Sequence, residues 1–498
     1  MKRWIAALLA LCLLAGAALA ETAPRVLRLA ESFAYPSLDA HVEYYGWFTS
    51  IYGVTEALFR VGDDSSIQPC LAERAEVDES GKLWTVTLKE GVRFSNGNAL
   101  TAEMCVRNIA RLAEKNPRFA YLANFEYEAL DARSFTIRTP EIYPTMVNDL
   151  AAPEMAMLDL DATSDFDSAP VGTGPFVVKS FVPEGTVEVA RNEAYWNGDV
   201  KLDGAIFYYM PDDESKLMAM QSGEIDGYDG VTAAAQQILS ADPERYEITV
   251  RPATRLQFYI LNENRLSDNL RAAINLAVDC EAIASYLNGT ITAAVGPFGT
   301  DTAYGQVQKS APDAAAAREK IEAEGYALNA DGFYEKDGAP LQLNICYYAS
   351  RSLDSIALLM QEQLKNIGVA CTLTCEENPD ATYIATGDFD VALYCMIADS
   401  AGDPYYFINA MLRDGAYYDC GGFDDENCEA LIDELAYETD AARRAELANQ
   451  IIQIAIDDNA FGYVGLFNKI TAMRSGVRGI SENCPYDYYR IGADTEMP

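Results

Sequence analysis

The stretch Leu341–Ile397 constrains the fold more than any other part of this chain. Ile356, Leu359, Met360, Leu364 and Ile367 recur at helical spacing and make one apolar stripe over Leu353–Ile367, with Gly368 where a C-terminal cap belongs. Apolar strand-like runs flank this helix, Leu341–Tyr347 before it and Val369–Cys375 after it. A third run, Phe389–Ile397, is apolar on both faces, as a buried central strand is. Strand, helix and strand in that order form the unit of an α/β layer with parallel pairing.

The rest of the chain is consistent with an α/β class. Trp84, Val86 and Leu88 alternate with Thr85 and Thr87, which predicts a half-buried strand. Asn96-Gly97 is a turn signal, and Thr101 with Glu103 opens a helix over Met104–Leu112. Phe135–Thr139 and Thr186–Ala190 are further strands. Leu270, Ala273, Ile274, Ala277 and Val278 have helical spacing, and Asn288-Gly289 supplies a later stop; Leu431–Ala436 and Ala445–Ile456 are amphipathic. At 498 residues the chain exceeds what one hydrophobic core usually holds, so two or three domains are expected.

The N-terminus has the pattern of a secretory signal. Lys2 and Arg3 precede the apolar run Trp4–Leu14, and Ala18-Leu19-Ala20 supplies a small-x-small cleavage site, so residues 1–20 are expected to be removed. Cys12 lies inside the run after Leu11, a poor context for lipid attachment, so the expected product is exported and not lipid-anchored. The chain carries 76 acidic and 37 basic side chains. That balance argues against nucleic acid or anionic lipid as partners, which need basic patches. Cys371 and Cys375 in VACTLTC have strand period, so both thiols are expected on the same apolar side, about 13 Å apart, as small core residues.

Catalytic patterns are missing. The sole histidine, His41, rules out a His-rich metal centre, and no G-x-S-x-G, S-x-x-K or H-E-x-x-H occurs. Gly172-Thr173-Gly174 is followed by Pro175 and a strand-like FVV, not by the helix a phosphate cradle needs; it is expected to be a turn using glycine's freedom at positive φ. No cofactor and no resident metal are expected.

Three segments in order carry a family resemblance: GKLWTVTLKEGVRFSNGNALT at Gly81–Thr101, VGTGPFVVKSFVPEGTVEVARNEAYWNG at Val171–Gly198, and DDESKLMAMQSGEID at Asp212–Asp226. Together they resemble the peptide/nickel-type solute-binding proteins of ABC importers (solute-binding family 5). The resemblance implies a two-lobed periplasmic-binding-protein fold of the large class II kind, with a hinge crossed twice. Lobe 1 would span residues 21–255, with an extra subdomain at about 71–165. Lobe 2 would span 256–471, and 472–498 would return to lobe 1. The crossings would fall near Arg251–Asn262 and Ile470–Gly476. It also implies closure on a small solute, a membrane permease with its ATPase subunits as partners, and a monomer.

The resemblance directs attention to three regions. After the S-L-D turn Ser37-Leu38-Asp39, the aromatics Tyr44, Tyr45, Trp47 and Phe48 would lie near the ligand, a cleft wall or the core of a helix. In Ala398–Tyr405, beyond the carboxyl end of the central strand, Asp399 is the nearest match to the Asp that holds a peptide's α-ammonium group in relatives. Asp403 before Pro404 is also a candidate helix cap, and Tyr405 closes the segment. On the first crossing strand, Arg251 and Arg255 suit either a ligand carboxylate or an ion pair with a surface acid. Asn192, Tyr195 and Trp196 match the family's N-x-x-Y-W corner and are expected to be scaffold. Phe94–Gly97 and Ala120–Tyr127 look closer to nickel-chelate binders, yet no His follows His41, and Ala152-Pro153-Glu154-Met155 stands where those relatives are basic. A short peptide is the first expectation for the solute, a chelated metal the second, and a ligand sensor without transport a third.

Overall fold

Two long antiparallel strands, Tyr246–Leu261 and Phe461–Arg474, form the spine of the molecule. A computed structural model describes residues 24–33, 35–399, 401–416, 418–480 and 490–498. The expected signal segment, its cleavage site and Cys12 lie outside the described residues. An eleven-stranded sheet is built on the spine. On one side it continues through Val391–Ile397, Gln342–Tyr347 and Ala370–Cys375. On the other it runs through Gly227–Asp229, Val26–Glu31, Gly204–Tyr209, Thr186–Arg191 and Phe176–Phe181. Ile291–Ala293 pairs off this path with the second long strand.

The ladder between the long strands is broken midway. Pro252 faces Asn468 and Leu256 faces Leu466, so the three residues 253–255 oppose the single residue Phe467. A bulge of this kind bends the strand and raises its local twist. Leu261 and Phe461 lie toward one half of the sheet, Tyr246 and Arg474 toward the other. The irregularity on the second strand lies shortly before the segment expected to make the crossing.

The strand–helix–strand unit forms as its periodicity predicts. Gln342–Tyr347 pairs in parallel with both Ala370–Cys375 and Val391–Ile397. The helix Leu353–Asn366 buries Ile356, Met360 and Leu364, and Gly368 follows at φ +95°, a left-handed turn that a side chain would strain. Along Tyr246–Leu261, Leu256, Phe258 and Ile260 enter one core while Tyr259 and Leu261 enter another, so the sheet is covered on both faces. The edge strand differs from expectation. Cys371 is half-buried, but Cys375 is exposed, because the strand's last residue extends beyond the packing that covers Cys371. The helix expected from Leu270 breaks at Val278, where Asp279 caps a second short helix, Cys280–Tyr286.

The segment from 72 to 158 has its own core. Strands Ala72–Val77, Leu83–Leu88, Ser134–Arg138 and Glu126–Ala129 make an antiparallel sheet, and helix Ala102–Lys115 packs on it. Thr101 caps that helix by accepting from the Met104 N–H at 3.2 Å.

A buried charged network ties this unit to the S-L-D turn. Arg111 donates to both Asp39 oxygens, at 2.8 and 2.6 Å, and to His41 Nδ1 at 2.9 Å. Arginine has only donors, so Nδ1 accepts and Nε2–H donates to the Ala156 carbonyl, 2.9 Å away. Burial, with Arg111 alongside, pushes the His41 imidazole down to about 4. Burial raises Asp39, but the Arg111 bonds outweigh it and leave the carboxyl below its usual range.

His41 stays neutral in the fold while the unfolded imidazole takes a proton below about pH 6.5. Stability is therefore present above that pH and lost as pH falls toward 4. The sole histidine makes the test clean: its NMR ring signal should not titrate between pH 7 and 5.5. Arg111→Met should cost about 3–5 kcal/mol in denaturant unfolding, because it leaves Asp39 buried and unpaired. Thiol labelling of native protein should modify Cys375 well before Cys371, whose thiol burial pushes up to about 12.

Candidate functional site

The two halves of the molecule meet where the loop after strand Val391–Ile397 reaches the first half. Asn148 donates to the Ala401 carbonyl at 2.9 Å. A side chain on Gly402, at φ +78°, would lie 2.3 Å from the Ser65 carbonyl. Ala401 is part of the same apolar cluster as Met146, Leu150 and Met155. A small gap between the lobes is lined by Ser65, Pro252, Pro297, Phe298, Asp301 and Asp399. Larger concavities of about 610 and 840 Å³ lie within single halves, one around Tyr259 and Lys309, the other around Glu56 and Arg60.

In this loop the structure turns both expected acids inward. Asp399 is 4% exposed; one oxygen accepts from the Gly402 N–H at 2.7 Å and the other from the Tyr304 hydroxyl. Burial raises its carboxyl to about 6, although the tyrosine bond pulls the other way. Asp403 is a scaffold residue. It accepts from the Tyr405 N–H at 2.8 Å and is gripped by buried Arg444 at 3.1 and 2.5 Å, which also holds the Leu435 and Glu438 carbonyls. Its carboxylate is engaged in joining three helices, in keeping with the structural role read for the residue before Pro404. Tyr405 is half-buried and donates to Asn409 at 3.1 Å, while its neighbour Tyr406 is exposed.

The aromatic segment divides in two. Phe48 is buried and stacks on Tyr35 with ring centroids 3.4 Å apart, so it belongs to the core and not to a cleft wall. Tyr44 is 51% exposed and stands edge-on to half-buried Tyr45. Trp47 is half-buried on the short helix Tyr45–Ile51. Gly46 lets this helix touch the turn Pro153–Met155; a Cβ there would lie 2.5 Å from the Pro153 carbonyl. Glu154 is brought near Trp47, which helps to hold its carboxyl down. Its ion-pair partner is Arg118, at 3.2 Å. Burial raises the Glu154 carboxyl, with Arg118 and Trp47 acting against it.

Sequence reasoning did not single out Glu154, Arg118 or Asp149. Asp149 accepts from the Tyr121 and Tyr143 hydroxyls at 2.6 and 2.7 Å; burial raises it to about 6, and nearby Asp403 adds to the rise. The signal for Glu154 was available, since it is the one charge in the run AAPEMAML. Nothing in the local sequence marks Arg118, which depends on how Asn116 shapes its turn: the Asn116 side chain accepts from the Arg118 N–H and donates to the Glu43 carbonyl.

The two crossing-strand arginines differ. Arg251 pairs with Asp301 at 3.0 Å and reaches the Asp63 carbonyl, so it links the halves beside the bulge. Arg255 is half-buried opposite Ile397 and makes no ion pair or hydrogen bond among the described residues. Elsewhere, Tyr195 and Trp196 both donate to Glu56, and Asn192 holds the Gly174 carbonyl. Gly172 and Gly174 serve close approach of backbones, not positive φ: a Cβ on either would lie within 2.2 Å of the Val54 or Gly53 carbonyl. No three His, Cys, Asp or Glu side chains among the described residues stand together as metal ligands would, and no helix among them is long and apolar enough to cross a membrane.

This architecture has relatives. The nickel-binding protein NikA of Staphylococcus aureus is 25% identical over 431 residues, covering 86% of each chain. Di/tripeptide-binding protein 1 of Pseudomonas aeruginosa is 26% identical over 446 residues, covering 78% of each. The crystal structure of a nickel ABC transporter protein from Bacillus halodurans superposes with a TM-score of 0.89 at 26% identity, over 95% of this chain and 100% of that one. Residues 66–419 match the model of bacterial extracellular solute-binding proteins, family 5. With that match over most of its length and the two-lobed fold of its relatives, the chain belongs to the family 5 solute-binding proteins of ABC transporters.

Proposed function

We propose that this protein is the extracytoplasmic solute-binding component of an ABC importer, that it captures a short peptide between its lobes, and that it presents the closed form to a membrane permease. The hinge is the bulge at Pro252–Leu256 and Leu466–Asn468. Closure around it encloses the ligand, and contacts from both lobes favour the shut state. The work of transport belongs to a partner ATPase.

Arg255 is the observation that favours a peptide. A half-buried guanidinium with no ion pair or hydrogen bond among the described residues, in a chain with 76 acids, is poised for an anionic group that arrives with the ligand. It stands opposite Ile397, at the carboxyl end of the central strand, the edge where open α/β sheets take their ligands. Carboxylates lie in the same region: Asp149 from lobe 1 and Asp399 from lobe 2. A cation set among these acids suits a zwitterion whose carboxylate meets Arg255 and whose ammonium meets Asp149 or Asp399.

The nickel relatives support a second reading, a metal already wrapped in a small organic ligand. In that case the chelator supplies the donors, since both nitrogens of His41 are engaged in the interior. Arg255 would then take the chelator's carboxylate.

Thermal unfolding of the mature protein against di- and tripeptide pools, with nickel–histidine and free metal in parallel, separates the readings. A ligand at a hundred times its Kd stabilises by about 2.7 kcal/mol, a rise on the order of a few degrees. A rise with peptides alone is the expected result; a rise with chelated nickel alone replaces the first reading with the second. Arg255→Ala should weaken tripeptide binding by about 10-fold or more. The ligand-free melting temperature should hardly move, because the side chain makes no ion pair or hydrogen bond among the described residues.

A further inference from the structure

We infer that Glu154 is a recognition carboxylate for a primary ammonium group of the bound solute, with Arg118 as the displaceable counter-ion that covers it. This rests on the solute-binding reading above and adds to it the chemistry of one end of the ligand.

The argument begins with an asymmetry. The Glu154 side chain is 2% exposed, whereas that of Arg118, its ion-pair partner, is 63% exposed. The pair is made through one guanidinium nitrogen, at 3.2 Å, not through the two-pronged contact that fixes an arginine. An exposed, single-pronged arginine has few contacts of its own holding it, so it can be exchanged for another cation. The buried carboxylate, by contrast, always needs a partner. An incoming ammonium supplies one at the same oxygen.

The surroundings suit that cation. Trp47 is close enough to act on the Glu154 carboxyl, and its ring, with exposed Tyr44 on the same segment, offers aromatic surface to a cation. Gly46 holds this segment against the Pro153–Met155 turn. The turn is placed at the lobe boundary, because Asn148, a few residues earlier, donates across to Ala401, and Met155 shares a core with Ala401. Compare Asp39, whose partner Arg111 is itself buried and grips both oxygens. That pair is sealed; Glu154 has a lid.

Isothermal titration of tri-alanine, N-acetyl-tri-alanine and 1,5-diaminopentane into the mature protein, Glu154→Gln and Arg118→Ala tests the assignment. Tri-alanine should bind the parent, and N-acetylation should weaken it by about 30-fold or more. Glu154→Gln should weaken tri-alanine to a similar extent and leave the acetylated peptide unchanged. Arg118→Ala should tighten tri-alanine, since the competitor is gone; a merely structural pair predicts weaker binding instead. Equal binding of the two peptides, or an Arg118→Ala loss, overturns the inference and leaves the peptide reading intact. Diaminopentane binding that needs Glu154, with no peptide binding, removes the peptide reading and keeps the ammonium site. No binding of any probe to the parent defeats both. Should Glu154→Gln fail to fold, the acetylation and Arg118→Ala arms still decide.

Discussion

Everything in this molecule depends on the pairing of Tyr246–Leu261 with Phe461–Arg474. Each strand is bonded to a different set of neighbours on either side of the break, so one sheet serves two lobes. Two covalent crossings locked in one ladder resist twisting, because rotation of either lobe would shear hydrogen bonds on both strands. Bending at the bulge shears fewer, since the ladder is already interrupted there. The loop that carries Asp399 leaves its strand beside this point, with Ala398 donating to the Thr254 carbonyl. Small rotations at the bulge therefore move that loop directly.

The acids sort by the partner they have been given. Asp39 with Arg111, Asp403 with Arg444, and Asp226 with Arg28 and Arg474 are buried carboxylates neutralised by arginine. They fasten separate elements and are closed to ligand. Asp149 and Asp399 are answered by tyrosine hydroxyls, which bond the carboxylate without cancelling its charge. Both belong to the region where the lobes meet, and both are raised to about 6 by burial. Tyrosine in place of arginine is what leaves these two carboxylates without a neutralising side chain.

Legibility followed locality. The helix Leu353–Asn366, its flanking parallel strands and the Thr101 cap could be read because periodicity and capping are written within a dozen residues. The inward turn of Asp399 and Asp403 could not, because it is set by Tyr304 and by Arg444, far away in sequence. Phe48 stood open between cleft wall and helix core, because its spacing from Tyr44 cannot reveal that Tyr35 covers it. Glu154 was visible as a lone charge in an apolar run, but its meaning required Gly46 and Arg118 from two other segments. The glycines of the GTG turn were legible as glycines, yet their cause is packing against Gly53 and Val54.

The excess of 39 negative charges invites the view that acidity itself selects the solute. Screening argues otherwise. At physiological ionic strength charges are felt over about 8 Å, so most surface carboxylates cannot act at the lobe boundary. Their effect is on solubility and on the encounter rate of cations. Discrimination needs charges that are buried, few and close to the ligand, where the medium screens weakly and a wrong partner leaves a charge unpaired. Glu154 beneath its exposed arginine, and Arg255, half-buried with no ion pair among the described residues, are the side chains placed to meet those conditions. On the proposed reading, selection of the solute rests on two residues of opposite sign, and not on the acidity that dominates the composition.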